Sequence, residues 1–476
     1  MKYTILFLTF IALQSQASYL KAKKIYSSDF SKERELKIFK ELFQSRYYHA
    51  AATFLSDYIE KGEQVPEELT EWVDTLVIKT GHEVFDSVSP KDLVRQNSWA
   101  LKFVAANNLF KNNNYNGAIR AIQGYPKDHK FASEAYLTLG LSYANLRNIV
   151  KSNTQLDLCS EVANTFAKEA KNERIKRYYT ILSEKCIINK GRNYFLEKSY
   201  KKALAQYNLI PKTSYTWPYN LMEMAWSHFY LEDYNRVLGL LITYKSPLMT
   251  SYFFPEAEYL SAISYLKMCL YDDSSIVIDK YTNHYKTRTK ELKKLLTQHS
   301  KSETYFLKLA LTDLKKSDKV HPFIRNLITQ IRKRIRYSLD VINLKRSILE
   351  LNVIKKNKND RFQQELGQRV NSLINWKRRK LNHFVKREMF TFINQIHRFS
   401  YELFNVSLEV ISNKKDLLYR GQKLSANRER GSLDNVKREE LQHFWSFKGA
   451  FWADELGDYS FGLKSNCKVQ KMEKNS

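Results

Sequence analysis

The chain has 476 residues, a formal net charge of +28, and an aromatic content of 14%. Gly and Pro are scarce, at 13 and 8 residues, which argues against a turn-rich β protein, and the aromatic content argues against a disordered chain. The length allows two or three domains. The composition therefore predicts a folded, helix-rich protein with a strongly basic surface.

The first 17 residues have the layout of a secretory signal peptide. Lys2 supplies the positive charge, the run Ile5–Leu13 is apolar apart from Thr9, and Ser15 and Ala17 place small residues at a cleavage site. The run is too short to span a bilayer, and no later run reaches roughly 18 apolar residues. We expect cleavage after residue 17 and a periplasmic protein. A buried N-terminal helix is the alternative.

A 34-residue period organises the next part of the chain. Its units begin at Trp99, Ser133, Glu184 and Pro218, and near Lys32 and Pro255. The clearest motif is Tyr136-x2-Leu139-Gly140-x2-Tyr143, in which a small residue between large ones lets two antiparallel helices approach closely. The motif and its period resemble the tetratricopeptide-repeat family over roughly residues 30–285. The resemblance implies an all-α superhelix of about six or seven stacked helix pairs. A generic helical bundle is the alternative.

Two stretches depart from the period. Residues 66–88 are interpreted as a degenerate unit. The step from Ser133 to Glu184 is 51 residues, which predicts an extra helix at about Thr165–Leu182.

The resemblance implies that the first helix of each pair lines a concave groove. Carried over position by position, the predicted groove residues are Asn107, Lys111, Asn145, Arg192, Phe195, Trp226, Tyr230, Tyr259 and Lys267. Aromatic walls with a few amide and cationic donors suit an extended or helical peptide segment. Packing of the same aromatic residues between adjacent repeats is the alternative.

A basic segment follows the repeats. Residues 321–400 contain 19 Lys plus Arg and 5 Asp plus Glu, and their apolar residues keep helical spacing on both sides of a polar break at Lys355–Asp360. The 4-3 spacing from Val385 to Val410 predicts a coiled-coil-like seam, and hence a long antiparallel helical hairpin. The predicted anionic-surface patch consists of Arg332, Lys333, Arg334, Arg336, Lys377, Arg378, Arg379 and Lys380. Its expected partner is an anionic membrane surface or envelope polymer rather than nucleic acid. A merely solvated helix face is the alternative.

The C-terminal tail is rich in aromatic residues, with Phe444, Trp445 and Phe447 followed by the run Phe451–Tyr459. We expect the tail to dock on the hairpin or on a partner. Its W-x-DEL-x-x-Y pattern resembles the ends of secreted repeat proteins of deltaproteobacteria linked to envelope or gliding machinery. Of the four cysteines, Cys159 and Cys186 are the candidate disulfide pair, with two buried free thiols as the alternative.

These observations predict the domains 1–17 (signal peptide), 18–285 (repeats), 286–320 (connecting helices), 321–417 (basic hairpin) and 418–476 (tail). The predicted function is an exported scaffold or adaptor that mediates protein–protein interactions in a cell-envelope complex. The alternative is a protein that binds or processes peptidoglycan on a helical scaffold. No metal spacing, phosphate loop or nucleophile motif is present in the sequence, so we expect neither a cofactor nor an enzyme.

Overall fold

The computed structural model describes residues 16–250, 252–313, 320–420 and 448–467, so the predicted signal peptide lies almost wholly outside the described residues. The described chain is all-α, as predicted. Its α-helices are α1 (residues 16–28), α2 (Arg34–Gln44), α3 (Tyr48–Glu60), α4 (Thr70–Thr80), α5 (Pro90–Val94), α6 (Trp99–Lys111), α7 (Tyr115–Ile122), α8 (Ala132–Asn145), α9 (Ile149–Glu169), α10 (Glu173–Leu196), α11 (Tyr200–Tyr207), α12 (Trp217–Tyr230), α13 (Tyr234–Ile242), α14 (Pro255–Lys267), α15 (Tyr271–Gln298), α16 (Tyr305–Leu311), α17 (Pro322–Lys333), α18 (Ile335–Ile354) and α19 (Arg361–Tyr419).

The chain divides into two compact units. Unit 1 contains the residues up to Cys186 together with Ile335–Leu381, and unit 2 contains Ile187–Arg334 together with the residues from Asn382 onward. The division cuts across the predicted domains, because the predicted hairpin contributes α18 and the first part of α19 to unit 1, and α17 and the rest of α19 to unit 2. Each unit therefore combines repeat helices with helices from the C-terminal half.

The same three-residue turn joins the helices of six pairs, which are α2–α3, α6–α7, α8–α9, α10–α11, α12–α13 and α14–α15. In each turn the middle residue has a positive φ near 60°, and these residues are Arg46, Asn113, Arg147, Lys198, Glu232 and Cys269. The backbone amide of the following residue donates to a carbonyl in the last turn of the first helix, which satisfies a helix-end acceptor. This recurring turn confirms that the chain is built from helical repeats.

Small residues let the paired helices approach, as the sequence predicts. A Cβ atom added to Gly140 of α8 would lie 2.8 Å from the side chain of Leu156 in α9. The Ser152 hydroxyl donates to the Gly140 carbonyl at 2.7 Å, and Ser274 donates to the carbonyl of Ala262 at 3.0 Å in the equivalent place between α14 and α15. The two pairs thus share one packing arrangement.

The prediction of an extra helix at Thr165–Leu182 is wrong. The additional residues instead lengthen both neighbouring helices, because α9 continues to Glu169 and α10 runs from Glu173 to Leu196 with only a short turn between them.

The hairpin prediction is correct at its turn and incorrect in its first arm. Helix α18 ends at Ile354 and α19 begins at Arg361, which brackets the predicted polar break. The first arm is broken at Arg334, between α17 and α18, and two of its apolar residues, Leu339 and Ile342, are each 43% exposed. The predicted seam of α19 from Val385 to Val410 is buried throughout, at Val385, Met389, Phe392, Ile396, Phe399, Leu403, Val406 and Val410.

Candidate partner-binding surface

Seven aromatic side chains of unit 2 form a continuous stripe over successive repeats. The aromatic stripe consists of Phe195, Tyr200, Trp226, Phe229, Tyr230, Tyr234 and Tyr259. Tyr230 lies at its centre. Its ring stacks on Tyr200 at 5.0 Å and on Trp226 at 6.0 Å, and contacts Phe195 edge-on at 5.5 Å. The repeat period therefore brings four predicted groove residues, Phe195, Trp226, Tyr230 and Tyr259, into one surface.

Polar contacts fix the stripe and leave part of it open to solvent. The Trp226 indole donates to a Glu256 carboxylate oxygen at 2.8 Å, and burial raises the pKa of Glu256. Arg192 forms an ion pair with Glu223 at 2.6 Å, while half of the Arg192 side chain stays exposed. Tyr230 is 49% exposed. Large aromatic groups that are prepositioned and only half-buried are typical anchors of protein interfaces.

The chain's own C-terminal helix closes one end of this surface. The ring of Tyr259 contacts Phe399 of α19 at 5.7 Å, and the Tyr281 hydroxyl donates to the Ile396 carbonyl at 2.9 Å. The predicted groove is thus occupied by α19 at Tyr259. The accessible part of the stripe is the part around Tyr230.

The remaining predicted groove residues do not join the stripe. Asn107, Lys111 and Asn145 belong to unit 1, where the Asn145 amide donates to the Leu141 carbonyl of its own helix at 2.8 Å. Lys267 is exposed at the end of α14 in unit 2.

The basic residues predicted to form one anionic-surface patch fall into both units, and most of them make intramolecular contacts. In unit 1, Lys377 is only 3% exposed, and its ammonium donates to the Thr80 carbonyl at the end of α4 at 3.1 Å. Burial lowers the pKa of Lys377 to about 8. The prediction is wrong for Lys377, because a buried ammonium that caps a helix is not available to a surface. Lys380 pairs with Glu83 and with Asp86, while Arg336, Arg378 and Arg379 are exposed.

The predicted patch residues of unit 2 also make intramolecular contacts. Arg332 donates through Nε to the Ala310 carbonyl at 2.7 Å near the end of α16, and Arg334 pairs with Glu388 at 2.6 Å. The ammonium of Lys333 lies over the ring of Tyr252 at 4.7 Å. Cations near helix C-termini stabilise those ends, so part of the charge excess serves the fold.

An acidic residue of the basic segment, missed by the sequence analysis, caps a repeat helix in unit 1. The Glu350 carboxylate accepts from the backbone amides of His49 and Ala50 at 2.9 and 2.8 Å, at the start of α3, and lies 2.9 Å from His49 Nδ1. Burial lowers the pKa of His49. No local signal marks Glu350, because it lies about 300 residues from the helix that it caps.

The described part of the tail lies on repeat helices of unit 2, so for these residues the prediction of docking on the hairpin is wrong. The Gly457 amide donates to Thr243 at 3.0 Å, and Asn235 exchanges two hydrogen bonds with the backbone of Leu463 at 2.9 and 3.1 Å. A Cβ atom on Gly239 would clash with the Tyr459 carbonyl oxygen, so the tail needs glycine there. The predicted aromatic residues Phe444, Trp445 and Phe447 lie outside the described residues.

Two disulfides are present. Cys159 and Cys186, the predicted pair, are bonded within unit 1. Cys269 and Cys467 form a second bridge in unit 2, which ties the tail to the turn between α14 and α15. Sequence spacing gave no signal for the second pair, because 198 residues separate its cysteines.

A cleft of about 420 Å³ in unit 1 is lined by residues of the connection that follows α7, of α8 and of α9, among them Tyr125, Tyr136, Tyr143 and Lys151. Within the described ranges, no cluster of three or more His, Cys, Asp or Glu side chains is arranged to hold a metal ion. No helix in the same part of the chain is long and apolar enough to cross a membrane.

Comparison with known proteins identifies no family. No protein-family model matches the sequence, and no curated protein matches it. Among solved structures, the chain is similar to the apo form of RapI, with 14% sequence identity and a TM-score of 0.33 over 76% of this chain and 97% of that one.

Proposed function

We propose that this protein is an exported helical-repeat scaffold that holds a protein partner on the aromatic stripe of unit 2, within a cell-envelope complex. The observation that carries the proposal is the stripe itself. Seven aromatic rings lie in continuous contact, and the central ring, Tyr230, stays half exposed. The proposal assigns the chain no catalytic step.

The disulfides support the export part of the proposal. Structural disulfides persist in oxidising compartments such as the bacterial periplasm and are rare in the cytosol. All four cysteines of the sequence are used in the two bridges. Their use agrees with the N-terminal pattern of a positive charge, an apolar run and small residues.

The composition of the stripe favours a peptide segment with an apolar side chain. Tyr200 and Tyr230 stack on each other as a prepositioned pair, which can bury apolar groups of a partner at a small cost in side-chain entropy. Arg192, half exposed beside Glu223, adds a cation that can donate hydrogen bonds to a carboxylate of the partner. Because Lys377 caps a helix and Lys380 and Arg334 pair with carboxylates, the proposal includes no anionic surface as a partner.

The test is crosslinking in cells followed by mass spectrometry, comparing wild type with Tyr230→Ala. Tyr230 is the preferred position, because Trp226 also holds Glu256 and its loss would disturb the repeats. The matched control is Phe30→Ala, which removes an aromatic ring that is 87% exposed in unit 1.

We expect a small set of envelope proteins that wild type and the control capture and that Tyr230→Ala loses. Unchanged capture by Tyr230→Ala would overturn the assignment of the site. Recovery with the cell wall, without any protein partner, would favour peptidoglycan binding instead.

A further inference from the structure

Helix α19 carries a second apolar stripe on the side opposite to its buried seam. The outer stripe of α19 consists of Tyr401, Phe404, Leu408, Ile411, Leu418 and Tyr419, which are 51% to 79% exposed. The buried seam of the same segment contains Phe399, Leu403, Val406, Val410 and Leu417. A surface helix normally has one apolar face, so a helix that is apolar on two sides has a second face to cover.

The outer stripe has the spacing of a coiled-coil seam. Steps of 3, 4 and 3 residues separate Tyr401, Phe404, Leu408 and Ile411, and the next two positions of the pattern are Lys415 and Leu418. A shallow apolar pocket lies at its C-terminal end, lined by Ile411, Leu418 and Tyr419 with two lysines. The pattern indicates another helix as the occupant.

We propose that the outer stripe is a homodimer interface, in which α19 of a second copy packs antiparallel against it. The stripe is self-complementary in that direction. Tyr401 lies opposite Leu418 of the other copy, Phe404 opposite Lys415, and Leu408 opposite Ile411, and the same register is repeated on both sides of the two-fold axis.

Lys415 decides the direction of packing. In a parallel pair the two Lys415 ammonium groups would face each other inside the seam, which is destabilising. In the antiparallel pair each Lys415 instead meets the ring of Phe404 of the other copy, whose aromatic face attracts a cation. Charge and apolar pattern therefore favour the same arrangement.

The exposed area is sufficient for a moderately stable dimer. Side chains of this size offer roughly 150–250 Å² each, and scaling by the exposed fractions gives on the order of 600 Å² per copy. A standard interface buries about 800 Å² per partner. A dimer would also present two aromatic stripes, which strengthens binding to a partner that has repeated or paired segments.

The first test measures the mass of the purified full chain by light scattering over a concentration series. We expect wild type to be dimeric, and Leu408→Glu/Ile411→Glu to be monomeric with at least 100-fold weaker association. The control Leu349→Glu places the same charge on α18, at a leucine that is 65% exposed, and should stay dimeric. Far-UV circular dichroism checks that each variant is folded.

The second test fixes the direction with a short bismaleimide, which reacts only with introduced free thiols. Leu408→Cys should crosslink to itself, since the two-fold axis passes beside it. Tyr401→Cys should not, because its two copies lie about 26 Å apart at 1.5 Å per residue. A mixture of Tyr401→Cys and Leu418→Cys should crosslink.

A monomer at every concentration, or a dimer that survives Leu408→Glu/Ile411→Glu, would overturn the proposal. A monomer whose outer stripe is protected from hydrogen exchange would also overturn it, because another part of the chain would then cover the stripe. These outcomes are independent of the partner captured at Tyr230, so the two proposals fail separately.

Discussion

Replacing Glu350 by alanine should strongly destabilise unit 1, because this one carboxylate caps a helix from a distant part of the sequence. Its oxygens accept from the His49 and Ala50 amides, which are two of the orphan donors at the start of α3. His49 is 2% exposed and Ala50 is fully buried, so water cannot replace the lost acceptor.

The magnitude follows from the two amides. A buried donor left without an acceptor costs about 1–3 kcal/mol, and a negative charge at a helix N-terminus contributes about 0.3–1 kcal/mol. Glu350→Ala should therefore lower the free energy of unfolding by about 3–5 kcal/mol. Glu350→Gln keeps one amide oxygen as an acceptor, so it should lose about 1–2 kcal/mol.

The assay is urea unfolding at pH 7.5, followed by far-UV circular dichroism, with hydrogen-exchange mass spectrometry on the peptides of Tyr48–Glu60. Exchange in that helix should accelerate in the alanine variant before the rest of the chain unfolds. The control is Glu409→Ala, which removes an exposed carboxylate from α19. Stability within about 0.5 kcal/mol of wild type, as expected for an ordinary surface substitution, would refute the reasoning.

Three further predictions concern buried acids and the tail. Burial and Glu83 raise the pKa of Asp340 to about 6, so the folded state prefers the protonated acid and stability is lost as pH rises through 6. Asp340→Asn should thus raise the unfolding free energy by about 1–3 kcal/mol at pH 7.5, with the gain vanishing near pH 4 in urea titrations. Burial also raises the pKa of Glu134 to about 6, so Glu134→Gln should stabilise unit 1 by about 1–2 kcal/mol at pH 7.5 in the same titrations. A lower free energy of unfolding at that pH would contradict the predicted sign. Gly239→Ala places a methyl group against the Tyr459 carbonyl and should release the tail. Limited proteolysis under non-reducing conditions should then show faster cleavage within residues 448–467, while the secondary structure stays unchanged.

The sequence determined the repeat architecture because its signals are local. The small residue at Gly140, the 34-residue period and the aromatic residues at recurring positions each report on contacts between helices that adjoin in the chain. For the same reason the period placed Phe195, Trp226, Tyr230 and Tyr259 on one surface. The buried seam of α19 was also readable, since a seam depends only on spacing along one helix.

The tertiary structure alone decided what the charges do. A count of Lys and Arg predicts an open basic patch, whereas the Lys377 ammonium is buried at the end of α4. In the same segment, the Glu350 carboxylate caps the start of α3. Contacts across about 300 residues leave no local pattern, because any residue with the right charge and reach satisfies a helix end. The docking of the tail and the Cys269–Cys467 bridge are non-local in the same way, since they depend on which surfaces meet when the chain folds.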